Sequence, residues 1–177
     1  MSRYVLVDET KRRGYVLVAA VVLSVDAAAA RKTLRDLLLP GERRLHMKDE
    51  RMQRKRQIAS AIAAMGIEAT VYDAATRYRN ERERRSECLR AIVADIARSR
   101  GPAMLIIEQD ESLVSSDRQQ LIECSRAAGC SERLRYSHAQ AASEPLLAIP
   151  DAVAWCWAKG GDWRQRIRPA ITAVRQV

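Results

Sequence analysis

Residues 3–25 have the sequence RYVLVDETKRRGYVLVAAVVLSV, in which a polar turn joins two apolar segments. The first segment, residues 3–7, is aromatic and β-branched and stops at Asp8. The turn ends at Gly14, and residues 15–25 are again rich in valine. β-Branched and aromatic residues favour strands, and a polar connection that ends in glycine fits a hairpin with a moderately long loop. The stretch therefore predicts an antiparallel hairpin with Asp8 directly after its first strand.

Helical patterns and strand patterns alternate along the rest of the chain. Asp26 is expected to cap a first helix that ends at Pro40-Gly41, and a basic segment then leads into a second helix. Further strands are expected at residues 67–72, 103–107 and 133–137, and the last two helices at 145–157 and 163–174. Alternation of this kind implies parallel crossovers, while the hairpin is antiparallel. We expect an α/β fold with a five-stranded mixed sheet in the order 3-2-1-4-5, flanked by helices, with a helical insertion between strands two and three.

Length and composition restrict the class of protein. The chain has 177 residues, of which 47% are hydrophobic, so it can bury a full core, and we expect a single domain over residues 1–177. The longest apolar run covers about 11 residues, where a membrane-spanning helix needs about 20. We therefore expect no membrane association. Because no secretory leader is recognisable, we expect a cytoplasmic location. The four cysteines are scattered without C-x-x-C spacing and are expected to be core residues.

The chain is strongly basic, with 31 Lys and Arg against 22 Asp and Glu and a net charge of +9. Such an excess favours association with nucleic acid or another polyanion. The alternative is a compositional bias, because arginine and alanine are abundant, lysine is rare and phenylalanine is absent. Net charge alone indicates only non-specific association.

Three acidic residues are expected at one edge of the sheet. Asp8 follows strand one, Glu108 follows strand four, and Asp151 opens a helix after strand five. Open α/β sheets bind ligands at the carboxyl ends of parallel strands, so the three carboxylates are expected to meet and to hold Mg²⁺ or Mn²⁺. Asp110 competes with Glu108 for this role. Alternatively, Asp8 is a turn residue and Asp151 a helix-start residue without any functional role.

Several motifs resemble a broad, mostly uncharacterised ribonuclease H-like family of unknown function. Its members open with a strand ending in Asp-Glu-Ser-Gly and close with a Leu-Gln-x-Ala-Asp-Leu-x-Ala helix. The matching segments span nearly the whole chain: they are residues 4–9, the Leu45-His46 pair before a basic helix, the strand at 105–108, and residues 144–155.

This sequence departs from the family pattern at several positions. Thr10 and Lys11 replace Ser-Gly, while Ala148 and Pro150 replace the glutamine and alanine of the last helix. Arg44 stands where some relatives carry an acid, so it is not a metal ligand. The resemblance implies a ribonuclease H-like fold, with Asp8 and Asp151 kept at the family's acidic positions.

The sequence thus suggests a divalent-metal-dependent nuclease, in which Asp8, Glu108 and Asp151 hold the ion and His138, at the end of strand five, assists proton transfer. The alternative is a non-catalytic nucleic-acid- or protein-binding module on the same fold. Whether the substrate is DNA or RNA stays open, and a homo-oligomer is possible but not indicated. The expected nucleic-acid contacts, which could instead be a solvated charged surface, are Arg43, Arg44, Lys48, Arg54, Lys55 and Arg56.

Overall fold

A computed structural model describes residues 1–177 and contains six strands and six α-helices. The strands are β1 (Arg3–Thr10), β2 (Tyr15–Leu23), β3 (Glu68–Ala75), β4 (Ala103–Glu108), β5 (Leu134–Ala139) and β6 (Ile171–Gln176). The helices are α1 (Ala27–Asp36), α2 (Met52–Ala63), α3 (Glu81–Arg98), α4 (Val114–Ala127), α5 (Ala148–Lys159) and α6 (Gly161–Ile167). Short 3₁₀ turns at Met47–Asp49, Pro145–Leu147 and Arg168–Ala170 precede α2, α5 and β6. None of the helices is long and apolar enough to cross a membrane.

The predicted hairpin is present, and its first strand is longer than expected. β1 continues to Thr10, so Asp8 lies inside the strand, paired with Val18 of β2, and does not follow it. The turn needs Gly14, whose φ is +111° and whose position would put a Cβ 3.0 Å from the Ala75 Cα. The turn is therefore fixed by its contact with the end of β3 as well as by its own sequence.

The sheet has the order β5-β4-β1-β2-β3-β6. β2 is antiparallel to both β1 and β3, whereas the β1–β4, β4–β5 and β3–β6 pairs are parallel, so the sheet is mixed. The prediction of five strands in the order 3-2-1-4-5 is wrong in count and order, because a sixth strand lies outside β3. The neighbours among the first five strands are those expected, and the helical insertion between β2 and β3 is present as α1 and α2.

The error arises at the C-terminus, where a helix was expected over residues 163–174. Helix α6 ends at Ile167, and Pro169 stands in a 3₁₀ turn. Proline lacks the amide hydrogen that a helix needs, and the β-branched residues that follow, Ile171, Thr172 and Val174, suit an extended strand.

Two hydrophobic layers cover the two faces of the sheet. One packs α1, α2, α5 and α6 against Leu6 and Ile106, and the other packs α3 and α4 against Val7 and Ile107. Successive residues of a strand point to opposite faces. Glu108 and Asp8 therefore point to the α5 side, and Glu9 points to the α3–α4 side. All four cysteines are buried and unpaired, as expected.

Candidate active site

Asp8 and Glu108 are neighbours at the end of the parallel β1–β4 pair. Val7 pairs with Ile107 in that ladder, so the two acids that follow emerge side by side. The Glu9 amide donates a hydrogen bond to Asp8 Oδ1 at 2.7 Å. The pKa of Asp8 is raised well above its usual range, first by burial, then by the charges of Glu108 and Asp151 and by a hydrogen bond shared with Glu108. The two carboxyl groups thus share one poorly solvated space.

Asp151 reaches the same space from the first turn of α5. The Met47 amide donates to Asp151 Oδ2 at 2.7 Å, and the Asp151 side chain is only 14% exposed. Burial raises the pKa of Asp151 to about 6, and the charge of Glu108 adds to the rise, although His46 and the Met47 amide oppose it. Three elements distant in sequence therefore bring three mutually repelling carboxyl groups together on one face of the sheet.

His46 is a further polar residue of this site that the predicted set did not include. Its Nε2 lies 3.7 Å from Asp151 Oδ1, and its Nδ1 lies 3.1 Å from Asp49 Oδ2. The imidazole thus stands between two carboxylates. The only signal for it in the sequence is the Leu45-His46 pair ahead of a basic helix, which does not distinguish a site residue from an ordinary loop histidine.

The donor chemistry of the site fits a hard divalent cation. Asp8, Glu108 and Asp151 offer only carboxylate oxygens, which are the ligands that Mg²⁺ and Mn²⁺ prefer. The pKa values of Asp8 and Asp151 are raised first by burial and then by a mutual repulsion that a cation would relieve. The positions of the side chains do not form a closed group of three ligands around one point. These three residues could therefore hold a metal, although their side-chain positions do not form the expected three-ligand cluster.

Asp110, the alternative to Glu108, makes its hydrogen bonds within the turn that follows β4. It is exposed and accepts hydrogen bonds from the amide and hydroxyl of Ser112, which lower its pKa. Asp110 thus shapes the turn after β4, and it is Glu108 that lies beside Asp8.

His138 was expected to assist proton transfer, but the structure places it on the other face of the sheet. It pairs with Ile107, which packs against α3 and α4, and its Nε2 lies 3.0 Å from Asp117 Oδ2. Strand alternation puts His138 opposite to Asp8 and Glu108, so the geometry gives it no part in this site.

Asp117 belongs to a buried ionic network centred on Arg85. The guanidinium donates two hydrogen bonds of 2.7 Å to the Asp117 carboxylate and one of 2.7 Å to Glu9 Oε2. The Tyr15 hydroxyl also bonds Glu9 and lies 3.3 Å from Arg85. Burial acts to lower the pKa of Arg85, but the hydrogen bonds to Asp117 and the charges of its neighbours in this group together outweigh burial and raise the pKa. The network, named here the Arg85 network, consists of Glu9, Tyr15, Arg85, Asp117 and His138.

The basic residues expected to contact nucleic acid differ in their surroundings. Arg54 is committed to the fold, since it donates to the Leu37 carbonyl and pairs with Glu42 and Glu50. Arg44 pairs with Asp49. The remaining four residues make no ion pair. Arg43, Lys48 and Arg56 are exposed, and Lys55 is half-buried.

No family of known proteins matches the sequence, and neither does any curated protein sequence. Among solved structures, the chain is similar to ribonuclease HII in the structure of the PCNA:RNase HII complex from Archaeoglobus fulgidus. The TM-score is 0.60 at 13% sequence identity, and the similarity covers 94% of this chain and 77% of that chain. This likeness concerns the fold alone, and it shows that the chain has a ribonuclease H-like fold.

Proposed function

We propose that this protein hydrolyses phosphodiester bonds of nucleic acid with the help of Mg²⁺ or Mn²⁺ held by Asp8, Glu108 and Asp151. The observation that carries the proposal is the meeting of these three carboxyl groups at one edge of a ribonuclease H-like sheet, where Asp8 and Asp151 both have raised pKa values. Acidic groups forced together by the fold, with pKa values perturbed by one another, are typical of functional sites.

The chain's own residues orient the acids and supply a group that can hold a proton. The Glu9 amide holds Oδ1 of Asp8 and the Met47 amide holds Oδ2 of Asp151, so one oxygen of each carboxyl group is not held by either amide. Asp49 orients the His46 ring so that Nε2 faces Asp151. His46 is therefore the residue of this site best placed to hold or release a proton during the reaction. When bound, the divalent ion would supply Lewis acidity and a water of lowered pKa.

The test compares the native protein with Asp8→Asn and Asp151→Asn in a nuclease assay with Mg²⁺ or Mn²⁺ on DNA, RNA and hybrid substrates. We expect each variant to lose more than about 10³-fold in rate, as when a group essential to the chemistry is removed. The matched control is Asp110→Asn, which removes a nearby acid that is exposed and hydrogen-bonded to Ser112, and it should leave the rate unchanged. Equal losses in all three variants would contradict the assignment.

The second candidate function is a non-catalytic binding module. The absence of a closed three-ligand group favours it. Thermal melts with millimolar Mg²⁺ or Mn²⁺ separate the two functions, because an ion that binds only the folded state must raise its melting temperature. If the native protein gains no stability from metal and cleaves no substrate, yet still binds oligonucleotides, the nuclease proposal is wrong and the module is the better account.

A further inference from the structure

Two cations of α2 lie over two tryptophan rings where α2 packs against α5 and α6. The Lys55 ammonium lies 5.0 Å from the centre of the Trp155 ring, and the Arg56 guanidinium lies 5.8 Å from the centre of the Trp163 ring. The two rings meet edge to face, with centres 4.9 Å apart. A cation over a ring face is held by the ring's quadrupole, so these charges are positioned at the surface.

These cations have no anionic partner within the protein. Arg51, Lys55, Arg56 and Arg166 form no ion pair, whereas Arg54 on the same helix is paired with two glutamates. Arg166 instead donates to the Ser60 hydroxyl at 2.9 Å, one helical turn from Arg56. On α2, the charge of Arg54 is therefore neutralised within the fold, whereas the charges of Lys55 and Arg56 are not.

This surface is continuous with the carboxylate site. Trp155 follows Asp151 by four residues on α5, and residues at that spacing share one helix face. A chain of contacts then runs from Trp155 to Lys55, and through Trp163 to Arg56. A linear ligand that passes the carboxylates can therefore continue along these groups.

We propose that Arg51, Lys55, Arg56, Trp155, Trp163 and Arg166, named here the cation–tryptophan surface, bind a single nucleic-acid strand beyond the carboxylate site. The cations contact successive phosphates, and the tryptophan edges lie against bases. Evenly spaced negative charge and flat bases are the two features that this combination of groups recognises, independently of base sequence. The choice of nucleic acid rests on the proposed function, but binding at this surface needs neither metal nor cleavage.

The experiment uses tryptophan fluorescence, because the three tryptophans of the chain all lie on α5 or α6. The native protein is titrated in EDTA with an oligothymidylate of about 20 nucleotides, longer than a typical single-strand binding site. We expect a saturable change in fluorescence and an affinity that falls steeply with salt, because phosphate contacts release counterions.

Two double variants with the same change in net charge then locate the site. Lys55→Ala with Arg56→Ala should weaken binding about 10-fold or more and reduce the salt slope by about 2, one unit per lost phosphate contact. The control, Arg118→Ala with Arg126→Ala, removes two exposed cations of α4 on the opposite face of the sheet and should change affinity by less than about twofold, since only long-range attraction is altered. Alanine favours helices, so both variants should fold, and melting curves verify this.

Equal weakening in the two double variants, no fluorescence change on binding, or no binding at low salt would each overturn the proposal. If the first double variant does not fold, Lys55→Gln with Arg56→Gln removes the same charges and keeps most of the side-chain length. If the native protein cleaves no substrate in the metal assay but still binds the oligonucleotide at this surface, the nuclease proposal is refuted and the proposal for this surface stands. The two failures are therefore distinguishable.

Discussion

The ionised carboxylate of Asp151 is destabilised by burial, and its contacts with His46 and the Met47 amide only partly offset this effect. Its carboxylate accepts the Met47 amide and lies near His46, yet burial still raises its pKa from 3.8 to about 6. A group whose pKa is higher in the folded state than in the unfolded state favours folding when protonated and opposes folding when ionised. At neutral pH, the folded protein without metal therefore holds a charge that destabilises it.

A prediction follows from this destabilising charge. In EDTA, Asp151→Asn should raise the free energy of unfolding above pH 6, by roughly 1 to 3 kcal/mol, since each pKa unit corresponds to about 1.4 kcal/mol. As the pH falls from 6 towards 3.8, the native carboxyl takes up its proton, and the advantage of the variant should disappear. Urea unfolding at a series of pH values measures this difference. Parallel profiles of unfolding free energy against pH for the two proteins would contradict it. Asp110→Asn should bring no such gain, because the pKa of the Asp110 carboxyl is lowered in the folded protein.

Single residues also show what the sequence can and cannot predict about the site. Asp8 and Glu108 could be named because a parallel strand pair brings its ends together, and that pairing follows from strand patterns. His46 could not be selected, because its contacts with Asp49 and Asp151 depend on how a loop crosses the end of α5. His138 was placed at the right edge of the sheet but on the wrong face, since a shift of one residue in strand register reverses the side-chain direction.

At the scale of elements, the C-terminal segment shows how local patterns compete. Residues 163–174 contain apolar residues at helical spacing, and that periodicity predicted one continuous helix. The chain instead leaves α6 at Ile167 and adds β6 beside β3, with Ala69 and Ile171 in register. The partner strand decides this outcome, because an edge strand gains its hydrogen bonds from a neighbouring strand. Here Ala69 precedes Ile171 by 102 residues, so a local sequence pattern does not show the pairing.

A pair of substitutions in β6 tests the strand assignment. In a helix Ile171 and Val174 would share one face, whereas in this strand Ile171 is buried at 6% exposure and Val174 is 41% exposed. Ile171→Ala should therefore cost about 2 to 4 kcal/mol of stability, and Val174→Ala less than about 1 kcal/mol. Denaturant unfolding of both variants gives the comparison. Similar losses at the two positions would favour a shared face and count against β6.

For the whole molecule, the sheet separates two polar clusters that face away from each other. The carboxylates and His46 lie on the α5 side, and the Arg85 network lies on the α3–α4 side, where its five residues come from β1, β2, α3, α4 and β5. The clusters meet at β1, because Glu9 belongs to the network while its amide holds Asp8. No buried polar side-chain atom in the structure lacks a hydrogen-bond partner. The Arg85 network therefore ties the α3–α4 layer to the strand that carries Asp8.

The last prediction concerns this buried network. Arg85→Met should destabilise the protein by about 3 to 5 kcal/mol, because Asp117 would keep a buried negative charge without its bidentate partner. Adding Asp117→Leu should recover much of that loss, since replacing both members of a buried ion pair with apolar side chains is often neutral.

The control is Arg82→Met, which replaces an exposed arginine on the same helix and should change stability by less than about 0.5 kcal/mol. The cycle is measured as the unfolding free energies of the native protein, Arg85→Met, Asp117→Leu and the double variant. If the double variant is as unstable as Arg85→Met alone, the loss comes from packing or from Glu9 and Tyr15, and the charge of Asp117 is not its cause.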